Sequence, residues 1–166
     1  DPWAVTISPP HDLFAETYHE EQVETTLTGY RLQGAMNRLN IQKASEFPTV
    51  KAFDAGLSFL DSHASSDNWF LQIEVFDPHE PFYSPTEYRD RFPKVHRKIR
   101  DWPRYRRDEP GDDTTDLTMS QAALVSMCDD QLGRILDLFD AKNLWKDTAL
   151  IVTTDHGFML GEHGWW

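Results

Sequence analysis

The chain is poor in cysteine, in basic residues and in long apolar runs. Cys128 stands alone among 166 residues, which excludes an intramolecular disulfide framework and any metal site built on several thiolates. No stretch approaches the roughly 20 apolar residues of a membrane-spanning helix, and the N-terminus lacks the charged head and apolar core of a signal peptide. There is no Gly-x-Ser-x-Gly turn to present a serine nucleophile and no Gly-x-x-x-x-Gly-Lys loop to cradle a phosphate. Sixteen Lys+Arg against 28 Asp+Glu give a net charge of −12, which argues against a general nucleic-acid binder. What the chain does have is aromatic: 13% Phe, Trp and Tyr, with six Trp, a content that separates it from disordered chains of similar charge. It starts at Asp1 and stops at Trp165-Trp166, and two large aromatics at a terminus lead us to expect a piece of a longer protein.

The scarce positive charge is concentrated. Between Arg89 and Arg107 nine basic residues accompany two acids, a local +7, so the remainder carries −19. Such asymmetry marks a contact with an anionic substrate or with another part of the protein; a solvated loop is the plainer alternative.

Residues 1–48 carry mixed signals, with a short helix expected around Gln33–Leu39. From Thr49, a plausible N-cap, Val50, Phe53, Leu57 and Leu60 recur at helical spacing and predict a helix over 49–64. The run Trp69–Phe76 reads as a buried strand. It leads into Asp77-Pro78-His79-Glu80-Pro81, where two prolines stop both helix and ladder. Ser84-Pro85-Thr86-Glu87 reads as a capping box opening a short helix to about Arg91. Thr118 with Gln121 is expected to cap a helix over 119–141, whose apolar stripe is Leu124, Cys128, Leu132, Ile135 and Phe139, with Val125 and Leu136 beside it. Thr148–Thr153 reads as a second buried strand that delivers Asp155-His156-Gly157 at its carboxyl end. This rhythm predicts an α/β fold with a largely parallel sheet, in which ligands bind outside the carboxyl ends of the strands. Both polar loops fall on that edge.

Asp155 and His156 leave a strand together, and Gly157 permits a tight turn in which a carboxylate and an imidazole converge on one ion. Oxygen and nitrogen donors suit Mg²⁺, Mn²⁺, Ca²⁺ or Zn²⁺, though two ligands do not close a site. The competing reading has Asp155 capping a helix and His156 merely polar. His79, held between prolines, has the rigid placement and titration range of a general acid, against a structural or idle role. Asp77 either orients it or caps the turn. His163, flanked by Gly161-Glu162 and Gly164, is a ligand, a substrate contact or a solvated turn residue. Cys128, on the apolar stripe, reads as a small core residue.

Three blocks, Phe70–Phe82, Met127–Leu136 and above all Thr153–Gly164 with its Asp155-His156-Gly157 and Gly161-Glu162-His163-Gly164, resemble consecutive blocks of the sulfatases, the sulfuric ester hydrolases of the alkaline phosphatase superfamily. The resemblance covers 69–166 well and 1–68 loosely, as part of a single catalytic domain. It implies an α/β/α sandwich with a divalent metal, usually calcium, with Mn²⁺ or Mg²⁺ as alternatives, and a formylglycine nucleophile made from Cys or Ser. Asp155 and His156 match the second pair of metal ligands, and His79 the histidine that contacts the sulfate and assists the leaving group. The same aspartate-histidine form occurs in phosphonate monoester hydrolases. A small-molecule or glycan sulfate ester is the expected substrate, with His163, Arg97 and Arg100 as weaker substrate-binding candidates. The family's Cys or Ser before x-Pro-x-Arg and its paired N-terminal aspartates are absent here, and the expected lysine would lie beyond Trp166. The chain by itself is therefore expected to be inactive. Alternatives are a phosphonate hydrolase or phosphodiesterase on the same scaffold, a non-catalytic sulfatase-like binding protein, and a chain whose partner is the remainder of its own catalytic domain.

Overall fold

The computed structural model describes residues 34, 36–38, 41, 43–92, 101–109 and 113–166. Residues 34 and 36–38 are helical, inside the short helix expected there. Helix α1 spans Pro48–His63. It starts one residue before the expected Thr49 because Pro48 occupies the first helical position, where its missing N–H costs nothing, and Phe47 is the N-cap. Thr49 therefore lies within the first turn. Its hydroxyl, relieved of capping, donates to Asp77 Oδ2 at 2.5 Å.

Helix α2 is a single turn, Thr86–Arg89, entered from Pro85 without a side-chain cap. The expected capping box is not made. Ser84 is fully buried, and its hydroxyl has no hydrogen-bond partner among the described residues. Helix α3, Thr115–Lys142, is the backbone of the structure. It begins four residues earlier than expected, because Asp113 Oδ1 accepts the Thr115 N–H at 2.9 Å and so starts the helix upstream of Thr118. Asn143, in the left-handed region at φ 55°, ends it, its N–H directed to the carbonyls of Asp140 and Phe139.

α3 serves two apolar clusters. Its first half contributes Leu117, Ala123, Leu124 and Met127 to a cluster with Phe47, Val50, Phe82, Tyr88 and Trp166. Its second half contributes Ile135 and Phe139 to a cluster with Leu60 and Leu144, against which Trp69, Leu71 and Ile73 pack. Each fully buried Leu or Met is worth roughly 1.5–3 kcal/mol. The buried stripe is turned from the expected one: Met127 and Gln131 are buried where Cys128 and Leu132 were expected, and Val125 and Leu136 are exposed. α1 and α2 are packed against α3, and Met127 lies in the cluster that holds Val50 of α1 and Tyr88 of α2.

Among the described residues no strand ladder forms, so the expected parallel sheet is not seen there. Exposure along 69–76 nevertheless alternates with period two, as in an extended segment. Trp69, Leu71 and Ile73 pack on the second cluster, while Phe70 and Phe76 are 86% and 70% exposed. Burial on both faces was the expectation; α1 and α3 cover one face only. At 148–153 Leu150 packs inward, and Ile151 and Val152 are exposed.

The inward face of 69–76 approaches α1 so closely that Gly56 is required. A Cβ there would lie 2.3 Å from Ile73 Cδ1 and 2.9 Å from its Cγ1. Alanine for glycine inside a helix ordinarily gains about 1 kcal/mol. Here Gly56→Ala should instead cost about 1–3 kcal/mol from overpacking, seen as a lower urea midpoint, and adding Ile73→Val should recover part of it. A stabilised Gly56→Ala variant would refute this packing.

Candidate active site

Two loops form the site, and each is set by the packing just described. The first, Asp77–Pro81, is anchored at its start by Thr49 and at its end by the Phe82 N–H, which donates to the Asp101 carbonyl at 2.7 Å. Between these anchors the His79 N–H donates to the Phe76 carbonyl at 3.0 Å. The His79 ring lies against Phe76, with centroids 4.4 Å apart. Its Nδ1 is 2.9 Å from the Glu80 carbonyl and 2.7 Å from Glu80 Oε2. Asp77 is therefore not the residue that faces the imidazole. Burial, partly offset by the Thr49 hydrogen bond and by Arg38, raises its carboxyl above the usual range.

The second loop leaves residue 153 and turns at Asp155-His156-Gly157. The His156 N–H donates to Asp155 Oδ1 at 2.9 Å, and this bond above all holds the Asp155 carboxyl below its ordinary value, with His156 and His79 contributing in the same direction. His156 Nε2 lies 3.6 Å from Asp155 Oδ2. The two loops meet edge to face: the rings of His79 and His156 are 5.9 Å apart, and Phe158 stands 5.1 Å from His79 and 5.7 Å from His156. The structure thus brings together His79, Asp155 and His156. The two histidines border an open cavity of about 650 Å³ lined also by Gly157, Phe158, Met159, Tyr105, Trp165 and Trp166, within the size range of small-molecule sites; Asp155 stands beside His156, outside that lining.

A hard divalent cation suits a carboxylate and an imidazole, and both side chains are exposed to receive one. No group of three or more His, Cys, Asp or Glu that could hold a metal occurs among the described residues. Asp155 and His156 offer two donors, which do not close a site by themselves.

His163 is not brought to the cavity. It sits in the 3₁₀ turn Glu162–Gly164 with φ 57° and is exposed. Arg97 and Arg100 lie outside the described residues. The described arginines of the basic segment are turned onto the protein itself. Arg89 stacks on Tyr83, Arg91 on Tyr88, Arg104 and Arg106 on Trp166, and Arg107 on Trp165. Arg91 also pairs with Asp130 at 2.7 Å. The segment and the chain end are joined by paired backbone bonds between Arg106 and Trp166, at 2.9 and 3.0 Å. For these arginines the contact is with another part of the protein, and it brings Tyr105 and both tryptophans to the cavity rim.

The sulfatase family profile matches residues 10–165. The chain belongs to the sulfatase family. Human iduronate 2-sulfatase is 29% identical over 149 residues, covering 72% of this chain and 27% of the relative. The uncharacterized sulfatase YidJ of Escherichia coli is 28% identical over 123 residues, 64% of this chain and 24% of its own. A multifunctional alkaline phosphatase superfamily protein, PehA of Trinickia caryophylli, is 45% identical over 47 residues, 28% of this chain and 9% of its own. The chain spans about a quarter of the length of the first two relatives. No solved structure matches it significantly.

Cys128 is not placed to act as a nucleophile. It is part-buried in α3, and burial, with Asp77 nearby, pushes its thiol up to about 12. In the folded protein at pH 8 its alkylation should be on the order of a thousandfold slower than that of an ordinary thiol, and denaturant should restore it; fast labelling without denaturant would contradict the burial. Sequence reasoning overlooked Glu80, Tyr105, Phe158 and Trp165. Glu80 had a signal, a carboxylate adjacent to the loop histidine. The aromatics had a weaker one, their interleaving with arginines.

Proposed function

We propose that this chain is the part of a metal-dependent sulfatase that carries the leaving-group side of the active site. The observation that supports the reading is the meeting of His79 with His156, the neighbour of Asp155, at one cavity in a chain of the sulfatase family. In this reading His79, through Nε2, donates a proton to the ester oxygen as the S–O bond breaks and its electron pair passes to that oxygen. Asp155 and His156 would hold a divalent cation, calcium first. Such an ion, when bound, supplies positive charge against the sulfate oxygens. The formylglycine nucleophile and the remaining metal ligands belong to the rest of the catalytic domain, so the 166-residue chain alone is inactive.

A second reading is favoured by the 45% identity over 47 residues to the multifunctional superfamily protein: hydrolysis of phosphonate monoesters or phosphodiesters, which share the tetrahedral geometry of sulfate esters and differ chiefly in charge. Assaying the full-length protein on 4-nitrophenyl sulfate and 4-nitrophenyl phenylphosphonate separates the two. The sulfatase reading expects kcat/KM to favour the sulfate; preference for the phosphonate would replace it with the second.

A further inference from the structure

We infer that Glu80 is a positioning residue for His79, fixing which ring nitrogen faces the substrate; this rests on the proposed role of His79 in releasing the leaving group. Glu80 is 8% exposed, and its side chain is aimed inward at the neighbouring imidazole. Its Oε2 lies 2.7 Å from His79 Nδ1 and has no hydrogen-bond partner in the usual geometry among the described residues, while the same Nδ1 stands 2.9 Å from the Glu80 carbonyl. Two oxygens of one residue thus converge on one ring nitrogen. An imidazole lone pair pointed at both would be repelled, so Nδ1 carries a proton. A buried carboxylate oxygen left without a hydrogen bond is costly, and the group nearest to relieve it is the imidazole, whose Nδ1 lies 2.7 Å away. The other ring nitrogen, Nε2, is then left for chemistry at the cavity that His79 borders.

The local sequence enforces the arrangement. Pro78 and Pro81 fix φ on either side of the His79-Glu80 pair, and Phe76 and Phe158 hold the ring between them at 4.4 and 5.1 Å. Asp77 is turned away to Thr49. Held on the Nδ1 side, Glu80 leaves Nε2 turned to the departing oxygen. Removing the carboxylate should matter in proportion to how much the departing oxygen needs a proton.

The test uses the full-length protein with Glu80→Gln, which keeps the shape and removes the charge, and Glu80→Asp, which retracts it. With an alkyl sulfate, a poor leaving group, Glu80→Gln should lower kcat/KM about 10–100-fold, the usual cost of removing a partner that orients a working imidazole. With 4-nitrophenyl sulfate the loss should be far smaller. The double variant His79→Gln/Glu80→Gln should be no worse than His79→Gln alone, because a residue acting through His79 has nothing to add once it is gone. Equal losses on both substrates, or additive losses in the double variant, would make Glu80 a structural residue and overturn the inference.

Nitrogen NMR of the His79 ring gives a readout that does not need turnover: Nδ1 protonated in the parent, and a shift toward mixed tautomers in Glu80→Gln. An unchanged tautomer would also overturn it. A parent inactive on every sulfate ester sinks the sulfatase reading and leaves the Glu80 geometry to be decided by the NMR result. Should Glu80→Gln fail to fold, Glu80→Asp carries both measurements.

Discussion

Replacing His79 by glutamine in the full-length protein should lower kcat/KM for an alkyl sulfate by about 10²–10⁴, the range of a lost general acid. Stability should fall only modestly, because the imidazole is a rim group whose loss touches the fold chiefly through the buried Glu80 carboxylate it faces. The loop that bears it is held by backbone bonds from Phe82 to Asp101 and by the Thr49 hydroxyl on Asp77, none of which involves the His79 side chain. The loss should shrink for 4-nitrophenyl sulfate, whose phenolate departs without a proton. A variant that loses the same factor on both substrates would indicate that His79 binds the sulfate group without protonating the leaving oxygen.

Removing Asp155 should be as damaging but for a different reason. A partner one step removed from an ion typically contributes 10–100-fold in affinity, and a direct donor contributes more. We therefore expect Asp155→Asn and His156→Ala each to weaken calcium binding to the full-length protein by at least about a hundredfold, measured by titration calorimetry. Excess calcium should restore part of the activity of Asp155→Asn and none of that of His79→Gln. This distinction matters because the three residues are neighbours: His79 and His156 are 5.9 Å apart, and a general collapse of the site would otherwise imitate the loss of any one of them. Unaltered calcium affinity in both variants would remove the pair from the metal site.

Both loops were legible in the sequence because their signals are local. Paired prolines around His79 and a glycine after Asp155-His156 mark turns whatever surrounds them, and the helical spacing from Val50 to Leu60 and from Leu124 to Phe139 requires only one covered face. Other features depended on partners distant in the chain. An apolar run such as 69–76 does not say how many of its faces will be covered, and the exposure of Phe70 and Phe76 reflects neighbours that α1 and α3 do not supply. The cap expected at Thr49 was displaced by Pro48, which takes the first helical position, and the one expected at Ser84 by Pro85, which is itself the N-cap. The destiny of the basic segment was hidden for a related reason. Arg104, Arg106 and Arg107 find the two terminal tryptophans about 60 residues later, a pairing that charge arithmetic does not reveal.

The contact between the two loops is the centre of the account, and diffraction from crystals of the full-length protein grown with calcium and inorganic sulfate tests it most directly. The expected result is an anomalous calcium peak touching both Asp155 and His156, with a sulfate oxygen in hydrogen-bonding reach of His79 Nε2 and Glu80 still on Nδ1. Calcium bound away from Asp155 and His156, or a sulfate seated out of reach of His79, would contradict it.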